Sequence, residues 1–400
     1  MNRTNSSPAN GLPAPAADAL AHSEKLQTLI HTEIAAANGL ITFARFMELA
    51  LYAPGLGYYA AGARKFGEAG DFVTAPEISP LFSQCLAQQC QQVLQGIGGG
   101  DLLEFGAGTG AMASDILLEL ERLGSLPEHY FILELSADLQ QRQQETLRRR
   151  VPHLFERLEW LCALPEPGFK GVMLANEVVD AMPVHLIQFK EQGVREGFVS
   201  WEEARFVWRD GPLSTPELQQ QITTLQTELA AETFCAGYTS EINLTQQGWI
   251  GSIAAVLEQG VALIIDYGFP RHEYYHPDRT SGTLMCHYRH RAHGDPLILV
   301  GLQDITAHVN FTALAEAALE SELEVLGYTS QAQFLIATGL GERLAMVDQN
   351  DTRRYLEVTQ QVKKLTLPSE MGELFKVLAL GRGYEGMVSG VMLQDRRHTL

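Results

Sequence analysis

The chain has 400 residues, 46% of them hydrophobic and 19% charged, with 48 acidic against 29 basic side chains and a formal net charge of −19. That balance excludes a nucleic-acid-binding surface, which needs clustered lysine and arginine. No apolar run reaches the ~20 residues needed to span a bilayer, and the length suits two domains or one large α/β domain carrying insertions.

Residues 1–22 are rich in Ala, Pro, Asn and Ser and read as a disordered tail. They contain no apolar core and, as a positive charge, only Arg3, so they match neither a secretory signal nor a mitochondrial presequence. The cysteines Cys85, Cys90, Cys162, Cys235 and Cys286 form no C-x-x-C and no zinc spacing. A reduced, cytoplasmic and bacterial chain is expected. Residues 23–100 read as an N-terminal helical element. Helices are expected over 23–37 and 42–51, the second capped by Thr42, and a Gly- and Tyr-rich loop follows. A further helix opens at Ser79 and Pro80 and runs to 96.

The third unit, 101–400, alternates short apolar strands with helical patterns. Strands are expected at "DLLEF" (101–105), "YFILEL" (130–135), "LEWLC" (158–162), "GVMLAN" (171–176) and "GVALIIDYG" (260–268), with helices over 112–123 and 137–149. Such alternation predicts an α/β fold built on a mostly parallel, Rossmann-like sheet covered on both faces. Two insertions interrupt it. The first, about 184–245, begins as an antiparallel meander and continues into a helix over 215–230. A helix over 245–258 then leads back to the sheet. The second, about 268–305, is a loop rich in Tyr, His and Arg. Beyond it the pattern gives a helix over 311–318, a strand over 323–328, and helices over 330–337 and 342–364. The apolar segments "LFKVLAL" and "GMVSGVML" complete the chain as an antiparallel pair at the sheet edge.

Gly106, Gly108 and Gly110 sit where the first strand turns into a helix, a place where glycines allow a tight turn and close approach of backbone to ligand. A dinucleotide fingerprint would be spaced G-x-G-x-x-G; here the spacing is G-x-G-x-G, with Glu104 two residues ahead of it. A carboxylate there repels pyrophosphate and attracts a ligand bearing an ammonium and a sulfonium, which points to S-adenosylmethionine. Glu134, closing the second strand, is placed to accept bonds from both ribose hydroxyls. Leu164, after the third strand, is placed over the adenine. The fourth strand ends in "LANEVVDAMPVH", which brings Asn176, Glu177 and Asp180 to the carboxyl edge of the sheet, where ligands bind in open parallel sheets. Two carboxylates there suit a guanidinium, held by charge-assisted and often bidentate bonds. Asp266 ends the fifth strand on the same rim. His287, His290 and His293 invite a metal reading, but no cysteine spacing or flanking carboxylate pair accompanies them and none is expected.

The motifs "GLGYY", "GDFVTAPEISPLF", "LLEFGAGTG", "ANEVVDAMP", "LIIDYG", "GTLMCHYRHR" and "DITAHVNF" occur in this order over roughly residues 25–395. Together they resemble the MidA-like S-adenosylmethionine-dependent methyltransferases. The resemblance implies a class I methyltransferase fold with a seven-stranded sheet. For the mitochondrial branch of that family it implies symmetric dimethylation of an arginine in a complex I subunit. It also implies that Asp71, Thr74 and Ser79 lie over the cofactor and that His308, in "DITAHVNF", belongs to the substrate wall with Asp266. Where the family more often has Asp, this chain has Asn310. The expected partner is a protein carrying an arginine, with no nucleic acid and no membrane; a homodimer stays open. The competing readings are a small-molecule methyltransferase, a donor-binding assembly protein without turnover, and a nicotinamide-dependent oxidoreductase, the last disfavoured by the glycine spacing.

Overall fold

The computed structural model describes residues 11–60 and 73–400. The chain enters through α1 (Ala17–Ala36), the short strand β1 (Ile41–Thr42) and α2 (Phe43–Tyr52), which Thr42 caps by accepting a bond from the Arg45 amide. The first helix starts at Ala17, inside the expected tail. Its early residues are held by the body of the protein: His22 bonds the Leu56 carbonyl at 2.8 Å and Ser23 donates to that of Val300 at 2.7 Å. The short α3 (Ala75–Ile78) and the long α4 (Pro80–Ile97) follow, the latter capped by Ser79.

The core then alternates as expected through β2 (Asp101–Phe105), α5 (Ala111–Arg122), β3 (Tyr130–Leu133), α6 (Ala137–Arg150), β4 (Leu158–Leu161) and β5 (Phe169–Asn176). The first insertion supplies β6 (His185–Lys190), β7 (Gly193–Glu202), β8 (Arg205–Gly211), α7 (Pro216–Glu228) and β9 (Thr239–Ile242). Strands β1, β7, β6 and β9 form an antiparallel sheet in that order, with β8 on β7. Helix α8 (Thr245–Val256) returns the chain to the core at β10 (Leu257–Phe269).

Beyond α9 (Arg271–Tyr274), the expected Tyr/His loop is ordered as β11 (Met285–Tyr288), β12 (Arg291–His293) and β13 (Asp304–Thr306), paired β12-β11-β13. The hairpin turn consists of Arg289 and His290 at φ +47° and +59°. Tight hairpins need that conformation and usually fill it with Asn or Gly, so "YRHR" gave no turn signal. The chain closes through β14 (Val309–Asn310), α10 (Phe311–Glu320), β15 (Glu324–Ser330), α11 (Gln331–Ala337), α12 (Leu340–Ala345), α13 (Thr352–Thr366), α14 (Met371–Leu374) and β16 (Phe375–Arg382). The single helix expected over 342–364 is divided into α12 and α13, because Asp351 accepts a bond from the Arg354 amide at 3.0 Å and starts a new helix.

The main sheet runs β15-β16-β10-β5-β2-β3-β4, with β14 paired to the far end of β10. Strand β16 is antiparallel to both neighbours, whereas the pairs from β10 to β4 are parallel. The apolar "LFKVLAL" segment therefore lies inside the sheet and not in an edge pair. "GMVSGVML" forms no strand: its turn at Ser389–Val391 packs on α11, where a Cβ on Gly390 would meet the Phe334 ring at 2.2 Å. Successive residues of the central strands feed opposite faces, the period of two that a sheet buried on both sides requires. Leu102, Val172, Leu174, Val261 and Leu263 join the core under α4 and α5, while Leu103, Met173, Ala175, Ala262 and Ile264 join that under α8 and α10. A third core, with Leu26, Phe46, Tyr58, Val199, Phe206, Cys286 and Ile305, ties the N-terminal helices to both insertions.

Candidate functional site

The carboxyl ends of β2, β3 and β5 open into a cavity of about 1120 Å³. Between β2 and α5 the backbone passes through Gly106, Gly108 and Gly110 at φ +63°, +53° and +81°, a region side chains rarely adopt. Gly106 and Gly108 line the cavity; Gly110 does not. It is instead the residue before α5, where a Cβ would sit 3.4 Å from the Cα of Gln143 on α6. Two glycines thus face the ligand space and the third seats one helix against another.

Gln143, which no motif marked, organises this end from behind. Its amide donates to the Gly108 carbonyl at 3.2 Å and to Glu134 at 3.0 Å, and its oxygen accepts from the Trp160 indole at 2.9 Å. Glu134 also accepts from the Ser136 amide at 2.9 Å, which holds its carboxylate at the end of β3. Glu104 is buried and accepts from the Tyr130 hydroxyl at 2.6 Å. Burial pushes its pKa up to about 7, the Tyr130 bond pulls it back, and the nearby Glu134 charge adds to the rise. The start of α3 meets the glycine loop: Thr74, the residue before the helix, lines the cavity, and Thr109 donates to Glu77 within it. Asp71 lies outside the described residues.

Leu164 does not reach the cavity. It packs, half-buried, against the sheet face beside Leu161, while Leu135, Ser136 and the first residues of α6 line the cavity after β3. Asp266 does not line it either. It is fully buried beneath the loop after β5, where its carboxylate accepts from the amides of Val179 at 3.0 Å, Asp180 at 3.1 Å and Tyr267 at 2.9 Å. In this arrangement Asp266 satisfies the amides of the segment that carries Asp180.

That segment forms the other end of the cavity. Asn176, Glu177 and Asp180 all line it. Glu177 adopts φ +55°, strained for a side chain with a Cβ, and its amide donates to the Ile265 carbonyl at 2.9 Å. The Asn176 amide donates to the Glu177 carboxylate at 2.9 Å. Asp180 accepts from the Tyr267 hydroxyl at 2.5 Å. One oxygen of Asn176 and one of Asp180 are buried with no hydrogen-bond partner. Burial and the Asp180 charge push Glu177 up to about 8, while burial lifts Asp180 to about 6 against the Tyr267 bond. Burial and the charges of Asp180 and Glu177 hold Asp266 well above the usual carboxylate range.

His308 lines the cavity with its ring edge-on to Tyr267 at 5.2 Å, and burial, with the charges of Arg279 and Lys376, lowers it to about 4. It is therefore neutral at pH 7. Asn310 caps α10 by accepting from the Ala313 amide at 3.3 Å, a role in which Asp would serve equally. His287 reaches the cavity wall, whereas His290 occupies the hairpin turn. Among the described residues the only group of three or more His, Cys, Asp and Glu ligand atoms close enough to share an ion is that of Asp101, Glu128 and His129. Sequence reasoning missed Tyr52, Tyr59, Glu77 and Asp304, all in the lining. No Lys or Arg of the described residues lines the cavity.

A family model described as "Putative S-adenosyl-L-methionine-dependent methyltransferase" matches residues 85–329. The chain is 47% identical to a protein from Burkholderia thailandensis solved with S-adenosyl-homocysteine bound, at a TM-score of 0.93 over 97% of this chain and 100% of that one. It is 30% identical over 378 residues to the Homo sapiens "Protein arginine methyltransferase NDUFAF7, mitochondrial", covering 86% of this chain and 80% of the relative. The Danio rerio protein of the same name is 29% identical over 375 residues, covering 86% and 84%.

Proposed function

The chain belongs to the MidA-like family of S-adenosylmethionine-dependent methyltransferases, and from that premise we propose that its methyl acceptor is an arginine side chain of a protein. The observation that carries this reading is the charge of the cavity: Glu177, Asp180 and Asp304 line it, and no Lys or Arg of the described residues does. A cavity of that kind selects a cation, and a guanidinium offers five donors in one plane to such a set of carboxylates. The curated relatives named as protein arginine methyltransferases support the same acceptor.

The donor end fits S-adenosylmethionine, which when bound supplies an electrophilic methyl group on a sulfonium. The two cavity-facing glycines leave room for backbone approach, Glu134 presents a positioned carboxylate, and the unpartnered Asn176 oxygen offers a buried acceptor. At the other end the carboxylates orient one nitrogen of the acceptor and offset its positive charge. A cation beside Glu177 favours the ionised carboxylate, which then takes the proton released when the guanidinium nitrogen gains its methyl group. Glu177→Gln keeps the size of the side chain and an acceptor for the Asn176 amide but removes the charge and the proton site. The expected outcome is unchanged affinity for S-adenosyl-homocysteine with methyl transfer lowered by roughly 100-fold or more. Transfer at the wild-type rate in a labelled-methyl assay would refute the role.

A further inference from the structure

The cavity has a second acidic wall, built by parts of the chain far from β5. Asp304, on β13 of the second insertion, is 3% exposed and lines the cavity. Its carboxylate accepts from the Tyr59 hydroxyl at 2.9 Å and from the Ile305 amide at 3.0 Å. Tyr59 comes from the loop after α2 and stacks on Tyr52, with ring centroids 5.6 Å apart and planes 20° from parallel. Tyr52 in turn donates to the Ala181 carbonyl at 2.9 Å, beside Asp180. Both tyrosines line the cavity. Burial and the charge of Asp304 hold the Tyr59 phenol well above its ordinary range, so it remains a donor to that carboxylate at any working pH. The charge of Asp304 also acts on Glu177, which places the two carboxylates in one electrostatic neighbourhood.

Resting on the arginine reading above, we infer that Asp304 binds the acceptor guanidinium together with Glu177 and Asp180, and that Tyr59 is the positioning residue that holds it there. The chemistry follows from the shape of the cation. A guanidinium is planar and presents donors on more than one edge, so carboxylates from two separate chain segments can each take an edge. Its weakly hydrated faces suit aromatic rings such as Tyr52 and Tyr59. An alkylammonium is compact and strongly hydrated and gains less from a flat, two-sided wall. The Asp304 and tyrosine wall therefore sets preference for arginine over lysine.

The test uses the full chain saturated with S-adenosyl-homocysteine and titrated with N-acetyl-arginine methylamide or N-acetyl-lysine methylamide, followed by NMR. Wild type is expected to favour the arginine probe. Asp304→Asn and Tyr59→Phe are each expected to weaken arginine binding by roughly tenfold or more and to shrink its preference over lysine, with affinity for S-adenosyl-homocysteine unchanged. Arginine binding and preference equal to wild type in both variants would overturn the role of Asp304 and leave the arginine reading standing. Preference for the lysine probe, weakened by Asp304→Asn, would overturn the arginine reading and keep Asp304 as a cation ligand. Binding of neither probe by wild type would overturn both. Should Asp304→Asn disturb S-adenosyl-homocysteine binding, Tyr59→Phe, which removes a single hydroxyl, decides: an unchanged arginine preference in that variant overturns the inference.

Discussion

Glu177 combines a left-handed backbone, φ +55°, with a carboxyl pushed up to about 8 by burial and the Asp180 charge. Each is unfavourable for folding, the backbone alone by roughly 1–3 kcal/mol. Such strain persists where the surroundings dictate it, and here the Ile265 carbonyl and the Asn176 amide do so. The raised pKa gives a sign to the pH dependence. Below pH 8 the carboxyl holds its proton when no cation is beside it, and a cation must displace that proton to bind. Cation affinity is therefore expected to rise with pH through Asp180 near 6 and Glu177 near 8, and to level off above. Titrating the S-adenosyl-homocysteine-loaded protein with an arginine probe from pH 5.5 to 9 checks this. A flat profile, or one falling with pH, would show that neither carboxylate meets the cation. His308, lowered to about 4, contributes no inflection in that range.

At the level of elements, the glycine turn after the first core strand was legible because it is local. A strand, three glycines and a helix within Asp101–Arg122 announce a turn that side chains cannot make, and Glu134 follows at the end of the next strand. Gly108→Ala tests that turn directly. A methyl group at φ +53° on a residue lining the cavity is expected to weaken S-adenosyl-homocysteine binding by about tenfold or more, corresponding to roughly 1–2 kcal/mol of strain. Calorimetry on the folded variant measures it, and wild-type affinity would remove the loop from the donor site. Gln143 behind that loop was not legible, since a glutamine within a polar helix carries no signal until tertiary structure aims it. The insertion of β16 into the sheet was equally hidden, because an apolar strand looks alike at an edge or in the middle. The directions of the Leu164 and Asp266 side chains were hidden for a related reason: the position of a residue near a strand end does not say whether its side chain turns toward the cavity or away from it.

Across the whole molecule, the proposed acceptor side is assembled from three distant parts: α2 with its following loop, the segment after β5, and β13. The third core, joining α1 and α2 to both insertions through Phe46, Val199, Phe206 and Ile305, holds those parts against one another. This explains why Asp180 was readable from its strand while Asp304 and Tyr59, 245 residues apart in sequence, were not. On the proposed assignment the two ends of the cavity have different origins: the donor end belongs to the parallel sheet, and the acceptor end to elements added around it. Acceptor choice is the claim on which the rest depends. The direct measurement incubates the protein and methyl-labelled S-adenosylmethionine with extract of a strain lacking it, then hydrolyses the labelled material for amino-acid analysis. Label recovered as methylarginine from a protein is the expected result; label found only in a small metabolite, or on a residue other than arginine, would contradict it.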